Sequence, residues 1–557
     1  MAILKLYWKK SNFLYIDLLI SLFLVVILIN YNYHTNLAPE TSIMAIQLLV
    51  LWYVCRFIFY IFPIISQYTL FLILIVGLIE AIWGLGQLYG YLPSNHALFK
   101  TTGSFYNSGP YGGFIALMFP ISLHFFLHFS RQKHFLKYFF LSSGIILLLV
   151  FPATLSRTAW LSAIVGCTLV ISCDTSIMTK VKKAWRINKK AIILFSLIII
   201  IVISSALYGF YHIKKDSASG RFFLWKITTL AIQKEFPRGV GLGGFQNAYA
   251  QAQADYFKSG KASEIEKFVA GSPEYAFNEY LKVFLEQGLF GGILFLIITV
   301  FIIRGGIKNG QIGAAGCFLA LSVFSFASYP YYLWEFLVIW ALLGTISISA
   351  KRKPKTNNLS EKIKRKINVL GIVSLCLLLT ASLFIYYNYQ RPYFVAKKEW
   401  HKLRPLFTMK AYDNVIADYT QIYTLLNHDP KFVFEYGVAL NATDQHLKAD
   451  SVLLRGLLLS SDPMFYNVKG RNLHAMHKFE ESEACYIFST YLLPERIYPY
   501  YLLTKLYADP LNYQPEKMRR AALAVLEEEP KVHSMAINEM RDEVRKILKE
   551  KEIAKNE

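Results

Sequence analysis

Apolar residues fill the first 390 positions in long blocks separated by short polar stretches. A membrane-spanning helix needs about 20 mostly apolar residues. Eleven blocks approach that length, at roughly 13–30, 42–62, 68–89, 109–129, 138–155, 158–174, 191–210, 279–303, 311–328, 331–349 and 369–387. The block from Ala191 to Phe210 carries no charge, whereas the block at 42–62 is interrupted by Arg56. The pattern predicts an all-α, polytopic membrane protein with a long polar loop, 211–278, between the seventh and eighth spans. The first block is not followed by a small-residue cleavage pattern and reads as a retained span.

From about Arg391 the periodicity changes to amphipathic helices of a soluble type. Asp429-Pro430-Lys431-Phe432 with Gly437 recurs as Asp462-Pro463-Met464-Phe465 with Gly470, and Leu493-Pro494-Glu495 follows as a degenerate copy. A period near 33 residues predicts tetratricopeptide-like helix pairs, with a plain helical bundle as the alternative. Two domains result: 1–390 in the membrane and 391–557 as a helical module able to bind a protein partner.

Composition agrees with this division. Only 17% of the 557 residues are charged and 55% are hydrophobic, whereas soluble domains average about a quarter charged. The net charge of +22 would point to nucleic acid in a soluble chain. Here the basic residues lie between apolar spans, where they face anionic membrane lipids and set orientation. No nucleic-acid motif accompanies them, and no nucleic-acid partner is expected. With eleven spans, Lys9 and Lys10, Arg131 to Lys137, Lys180 to Lys190, Arg304 and Lys308, and Lys351 to Lys355 all fall on one side, the cytoplasmic one. Loops 90–108 and 211–278, the turn at Arg157 and everything after Tyr387 then lie outside. A bacterial inner membrane with a periplasmic C-terminal domain is the natural setting. Cys55, Cys167, Cys173, Cys317 and Cys376 sit in or beside apolar spans, which argues against a disulfide framework and a Cys-based zinc site.

Candidate chemistry gathers on the outer side. Arg157, in Ser156-Arg157-Thr158-Ala159, stands at the outer end of a span against the positive-inside bias, so it either snorkels to lipid phosphate or has a function. Ser219 is a candidate N-cap that places Arg221 in the first turn of a helix running to about Glu235, with Trp225 one turn further on the same face. A helix dipole does not stabilise a cation there, so Arg221 predicts a bound anion. Arg238 follows, then Gly239-Val240-Gly241-Leu242-Gly243-Gly244. This run lacks the strand and βαβ context of a dinucleotide fingerprint and predicts a turn that brings backbone close to the membrane surface. Tyr106 and Asn107, in Gly103-Ser104-Phe105-Tyr106-Asn107, suit stacking on and hydrogen bonding to a sugar; an interfacial aromatic belt is the other reading. Asn278 and Glu279 open the eighth span, and Glu286 lies on the same face about 10 Å deeper. A carboxylate there should be paired or face a polar interior. His96 and His212 are outside histidines near these loops. His474 and His477 have the spacing of a metal pair but lack carboxylate or Cys partners, so neither a metal nor a cofactor is expected.

Taken in order, these motifs resemble the O-antigen ligase / O-antigen polymerase C family, which includes bacterial protein O-oligosaccharyltransferases. The resemblance covers about residues 70–305 and rests on Gly103 to Asn107, Ser156 to Ala159, Ser219 to Trp225, Gly239 to Phe245, and Asn278 to Gly288. It implies a metal-independent glycosyltransferase of the GT-C type. It also implies a glycan donor on undecaprenyl pyrophosphate, and lipid A-core or a protein as acceptor on the periplasmic face. Arginines in the positions of Arg157 and Arg221 are implied to hold the pyrophosphate, whose charge grows as the glycosidic bond breaks. Arg238 would assist, and Asn278, Tyr106, Asn107, Trp225 and His212 would contact substrate. Many members carry a His just before the Asn; here that position is Phe277, which makes Glu279 the first candidate for a base. O-antigen ligation is the first reading, protein glycosylation the second and O-antigen polymerisation the third. A transporter or flippase with a scaffold domain is the rival from another class, but the spans show none of the paired repeats such proteins favour.

Overall fold

The computed structural model describes residues 13–33, 39–189, 197, 215–349, 380, 383–384, 386–531 and 533–556. Among them the structure is helical throughout, without a β-strand. The first six helices are α1 (Phe13–Tyr33), α2 (Pro39–Ile61), α3 (Pro63–Leu88), α4 (Ser108–Arg131), α5 (Leu136–Val150) and α6 (Arg157–Ser172). Then come α7 (Thr175–Ile187) and, in the polar loop 211–278, α8 (Lys215–Glu235), α9 (Phe245–Lys258) and α10 (Glu264–Val269). The bundle resumes with α11 (Glu279–Lys308), α12 (Ile312–Ser325) and α13 (Trp334–Ile348). Nine of the eleven expected spans are therefore helices; those at 191–210 and 369–387 fall largely outside the described residues, as does His212. By length and composition α2, α3, α4, α5 with its extension to Thr154, and α11 can each cross a membrane, while α1, α12 and α13 are shorter apolar helices. The protein is thus an all-α polytopic membrane protein.

Small residues let the central helices touch. A Cβ on Gly166 of α6 would lie 2.6 Å from the Gly316 carbonyl of α12, and one on Gly113 of α4 would lie 2.1 Å from the Phe324 ring. Close backbone approach of this kind gives lipid-embedded helices their packing energy. Arg56, the interruption in the second block, is compensated: its Nε lies 3.3 Å from Asp17 Oδ1 on α1, which also accepts a 2.7 Å bond from Trp52 Nε1. The basic α7 leaves α6 at 81°, and Asp174 caps its start through bonds from Ser176 N and Ile177 N at 3.0 and 3.1 Å.

α11 is not one continuous helix. Gly288, at φ +68°, breaks it, and the glycine run supplies what the break removes. Val240 N donates to Leu285 O at 2.9 Å, Gly241 N to Glu286 O at 2.9 Å, and Leu289 N to Pro237 O at 3.0 Å. A Cβ on Gly239 would lie 2.5 Å from Gly288 N, and one on Gly288 would lie 2.4 Å from Arg238 O. The run expected at the membrane surface is instead packed into a helix break, because buried peptide groups released by that break need new partners. Glu286 is paired as its depth required: its Oε1 accepts from Gly243 N at 3.1 Å, at the start of α9.

The C-terminal region consists of α14 (Arg391–Thr408), α15 (Asp413–Leu426), α16 (Pro430–Ala442), α17 (His446–Leu459), α18 (Pro463–Ala475), α19 (Phe479–Leu492), α20 (Tyr498–Ala508), α21 (Pro515–Glu527) and α22 (Met535–Asn556). The Asp-Pro signals start helices as expected: Asp429 accepts from Lys431 N and Phe432 N, and Asp462 from Met464 N, each with Pro in the first turn. The repetition extends to packing. Gly437 faces Leu453, and Gly470 faces Tyr486, at matching places in successive helix pairs. The third pair starts at Tyr498, with Pro499 in its first turn, and not at Pro494. His474 is bonded to Asp509 at 2.8 Å, an ordinary helix-to-turn contact.

This module docks on the polar loop. Gln253 Nε2 of α9 donates to Leu492 O at 2.6 Å and to Gly271 O at 3.1 Å. Tyr466, Phe488, Tyr491 and Leu492 pack around Ala250 and Ala254 of α9.

Candidate functional site

The loop after α3 is organised by a buried side chain. Gln87 Oε1 accepts from Thr102 N and Gly103 N, both at 2.8 Å, and its Nε2 donates to Gly103 O at 3.1 Å. That arrangement delivers Asn107 to the start of α4, where its side chain accepts from Gly109 N at 2.8 Å as the N-cap. Ser156 occupies the same position at the start of α6, so that Arg157 is the first helical residue. Both helices therefore begin at the same place, and backbone N–H groups at a helix start favour an anion.

A cavity of about 230 Å³ opens there, lined by Asn107 to Pro110, Thr154 to Thr158, Arg221, Phe277, Ala327 to Tyr329, Phe99 and Phe324. Arg157 and Arg221 arrive from separate helices, and among the described residues that line the cavity none is acidic. Arg221 Nη1 donates to Ala327 O at 2.9 Å, and the guanidinium lies 5.3 Å from the Phe277 ring centroid. Burial, and then the adjacent Arg157 charge, push the Arg221 pKa down. Two like charges in one partly dry cavity disfavour each other until an anion joins them. Burial also drives the Tyr329 phenol up to about 12, against the pull of Arg221.

Other expected residues lie elsewhere. α8 is already helical at Lys215, so Ser219 is not its N-cap and Arg221 is not in its first turn. Nothing between Lys215 and Ser219 breaks a helix. The anion argument for Arg221 thus rests on the cavity and not on the helix end. Trp225 packs against Phe222 and Phe326 at 5.8 and 5.5 Å and holds α8 in place outside the cavity lining. Tyr106 is 81% exposed, beside the cavity and not among its lining residues. The Arg238 side chain is exposed on the glycine turn.

Asn278 accepts from Tyr280 N and Leu281 N, both at 3.1 Å, which commits its side chain to capping α11. Glu279 is 3% exposed, and its Oε1 accepts from Tyr331 N at 2.9 Å. It borders a small separate space with Tyr275, Lys282 and Tyr332, and Phe277 and Tyr329 form part of both linings. Glu279 therefore anchors the turn that carries Tyr329 and is not itself a wall of the arginine cavity. Sequence reasoning missed Tyr329, Ser328 and Thr154 as lining residues. The one usable signal was Tyr329-Pro330 in a short outer turn. Among the described residues no group of three or more His, Cys, Asp and Glu is placed to hold a metal.

The described residues thus form a helical membrane bundle with a cavity into which two arginines converge. Residues 142–296 match the family model described as O-antigen ligase. The matched segment runs from within α5 to beyond the Gly288 break in α11 and takes in Arg157, Arg221, Phe277 and Glu279, which bears out the resemblance drawn from the motifs. It supports a glycan-transferring membrane enzyme of the O-antigen ligase kind. No curated protein gives a significant match.

Proposed function

We propose that the protein transfers a glycan from undecaprenyl pyrophosphate to an acceptor hydroxyl on the periplasmic face of the inner membrane, with lipid A-core as acceptor. The observation that carries this reading is the convergence of Arg157 and Arg221 in one cavity without an acidic lining residue. The acceptor oxygen attacks the anomeric carbon, the bond from that carbon to the pyrophosphate oxygen breaks, and the acceptor proton leaves to water. Charge accumulates on the departing pyrophosphate, and preorganised guanidinium and helix-start N–H groups stabilise it most when it is greatest. The resemblance to O-antigen ligases is the ground for reading the reaction as one of the metal-independent GT-C type. Asn107 and Tyr106 border the donor sugar, and Arg238 lies further along the path of the lipid-linked glycan. Glu279 acts by holding the Tyr329 turn.

The docking of the C-terminal helix pairs on α9 favours a second reading, in which a tetratricopeptide-like module brings a protein acceptor to the same cavity. Glycan profiles of a deletion strain, complemented with wild type or with Arg221→Ala, separate the two. Loss of polymer from lipid A-core alone, not restored by Arg221→Ala, supports ligation. Intact lipopolysaccharide with unglycosylated proteins replaces it with protein glycosylation. Full restoration by Arg221→Ala would sink the cavity assignment.

A further inference from the structure

Phe277 stands where related enzymes often carry a histidine, and its surroundings give it a different task. Its ring forms part of the cavity wall and lies under the Arg221 guanidinium at 5.3 Å. The ring is itself braced: Tyr329 meets it edge-on at 5.1 Å, and Tyr275 stacks on Tyr329 at 4.2 Å with 5° between planes. The Phe277 backbone sits at φ +48°, a left-handed conformation that a bulky residue adopts only when its surroundings impose it.

Those surroundings act from both sides. On the C-terminal side, Asn278 caps α11. On the N-terminal side, the chain is pinned to the helical module: Ser461 Oγ donates to Pro273 O at 3.3 Å, Lys431 Nζ lies 3.5 Å from Glu274 Oε1, and Gln253 ties Gly271 to Leu492. The ring is thus held in place from two directions. Arg221 gains an aromatic platform on one side and the Ala327 carbonyl on another, two contacts that fix a side chain otherwise rich in rotamers. A protonated histidine at this position would add a third positive charge beside Arg157 and Arg221, whereas a phenyl ring adds none.

We propose that Phe277 is a positioning residue whose ring, held in place by the C-terminal module, orients the Arg221 guanidinium for the anionic leaving group. This inference rests on the anion-site reading given above. The test is calorimetric titration of the purified full-length protein with inorganic pyrophosphate, with thermal stability followed in parallel. Phe277→Leu should weaken binding about three- to tenfold, and Phe277→Tyr should stay within about twofold of wild type. Phe277→Met, which keeps the apolar volume, is the second variant should Leu not fold, and it should behave as Leu. In an Arg221→Ala background Phe277→Leu or Phe277→Met should change nothing further, because a residue acting through Arg221 has nothing left to act on. Equal losses in both backgrounds, or wild-type affinity in both variants, would overturn the inference and leave the anion site standing. Failure of the unmodified protein to bind pyrophosphate would overturn the anion-site reading and this inference with it.

Discussion

Arg157 and Arg221 show how a residue acquires meaning from what it meets. Each is odd in sequence, one at the outer end of a span and the other in a polar loop. Only in the cavity do they come together, where burial and the Arg157 charge lower the Arg221 pKa. Replacing either with Ala should lower glycan transfer about 10²- to 10³-fold. The two losses should combine to less than their product, since both act on one departing group. Initial transfer rates in membranes, normalised to inserted protein, check this. Arg221→Lys should not restore activity, because a point charge replaces neither the planar fork nor its stacking on Phe277. Asn278→Ala should cost about 1 kcal/mol of stability through loss of the α11 cap, and Asn278→Ser should recover most of it; thermal unfolding in detergent measures both. The arginines were legible because charge at a membrane face is conspicuous. Tyr329 and Ser328 were not, because an aromatic and a hydroxyl residue in an outer turn are indistinguishable from an interfacial belt.

At the scale of elements, a helix break and its repair dominate. The glycines at 239, 241, 243 and 288 all have positive φ, and two of them admit no Cβ without meeting backbone at about van der Waals overlap. Gly239→Ala and Gly288→Ala should each destabilise the protein by about 2–4 kcal/mol, seen as a lower yield of folded protein and a lower unfolding temperature. An exposed glycine such as Gly260, with nothing near its missing Cβ, should tolerate the change better.

The polar loop has its own pH-sensitive tie. Glu266 receives Lys226 Nζ at 2.6 Å, Tyr256 OH at 2.9 Å and Ser263 N at 3.0 Å. Burial raises its pKa, but these bonds and the Lys226 charge outweigh burial and bring it down to about 2. A depressed carboxylate stabilises the fold above its unfolded pKa of about 4.3 and loses that contribution as pH falls toward 2. Amide protection in 256–270, measured relative to the intrinsic exchange rate at each pH, should therefore fall below about pH 4 in wild type. Glu266→Gln should show the lower protection already at neutral pH.

Across the whole molecule, the C-terminal helix pairs are joined to the loop that carries the cavity wall. Ser461 and Lys431 contact Pro273 and Glu274, and Gln253 bonds both Leu492 O and Gly271 O; Gly271, Pro273 and Glu274 stand a few residues before Phe277. Removing residues after Gln390 uncovers Ala250, Ala254 and the Gln253 amide. The truncated chain should show faster amide exchange in 245–258 and 268–277 and weaker transfer, while its membrane helices stay protected. Full transfer by the truncated protein would show that the module serves only as a separate binding unit.

Hydrophobic block length and repeat spacing by themselves determined the class of this protein: an all-helical membrane bundle followed by paired helices. Both signals are local, since a span must satisfy its own backbone in lipid and an Asp-Pro start must cap its own helix. Tertiary structure alone decided that the glycine run repairs a break in α11, that Asn278 is spent as a cap, that Glu279 stands outside the arginine cavity's lining and that the Phe277 ring lies against one of the arginines. Each of these depends on which peptide group or ring lies opposite, a pairing between distant segments that residue type and spacing do not encode.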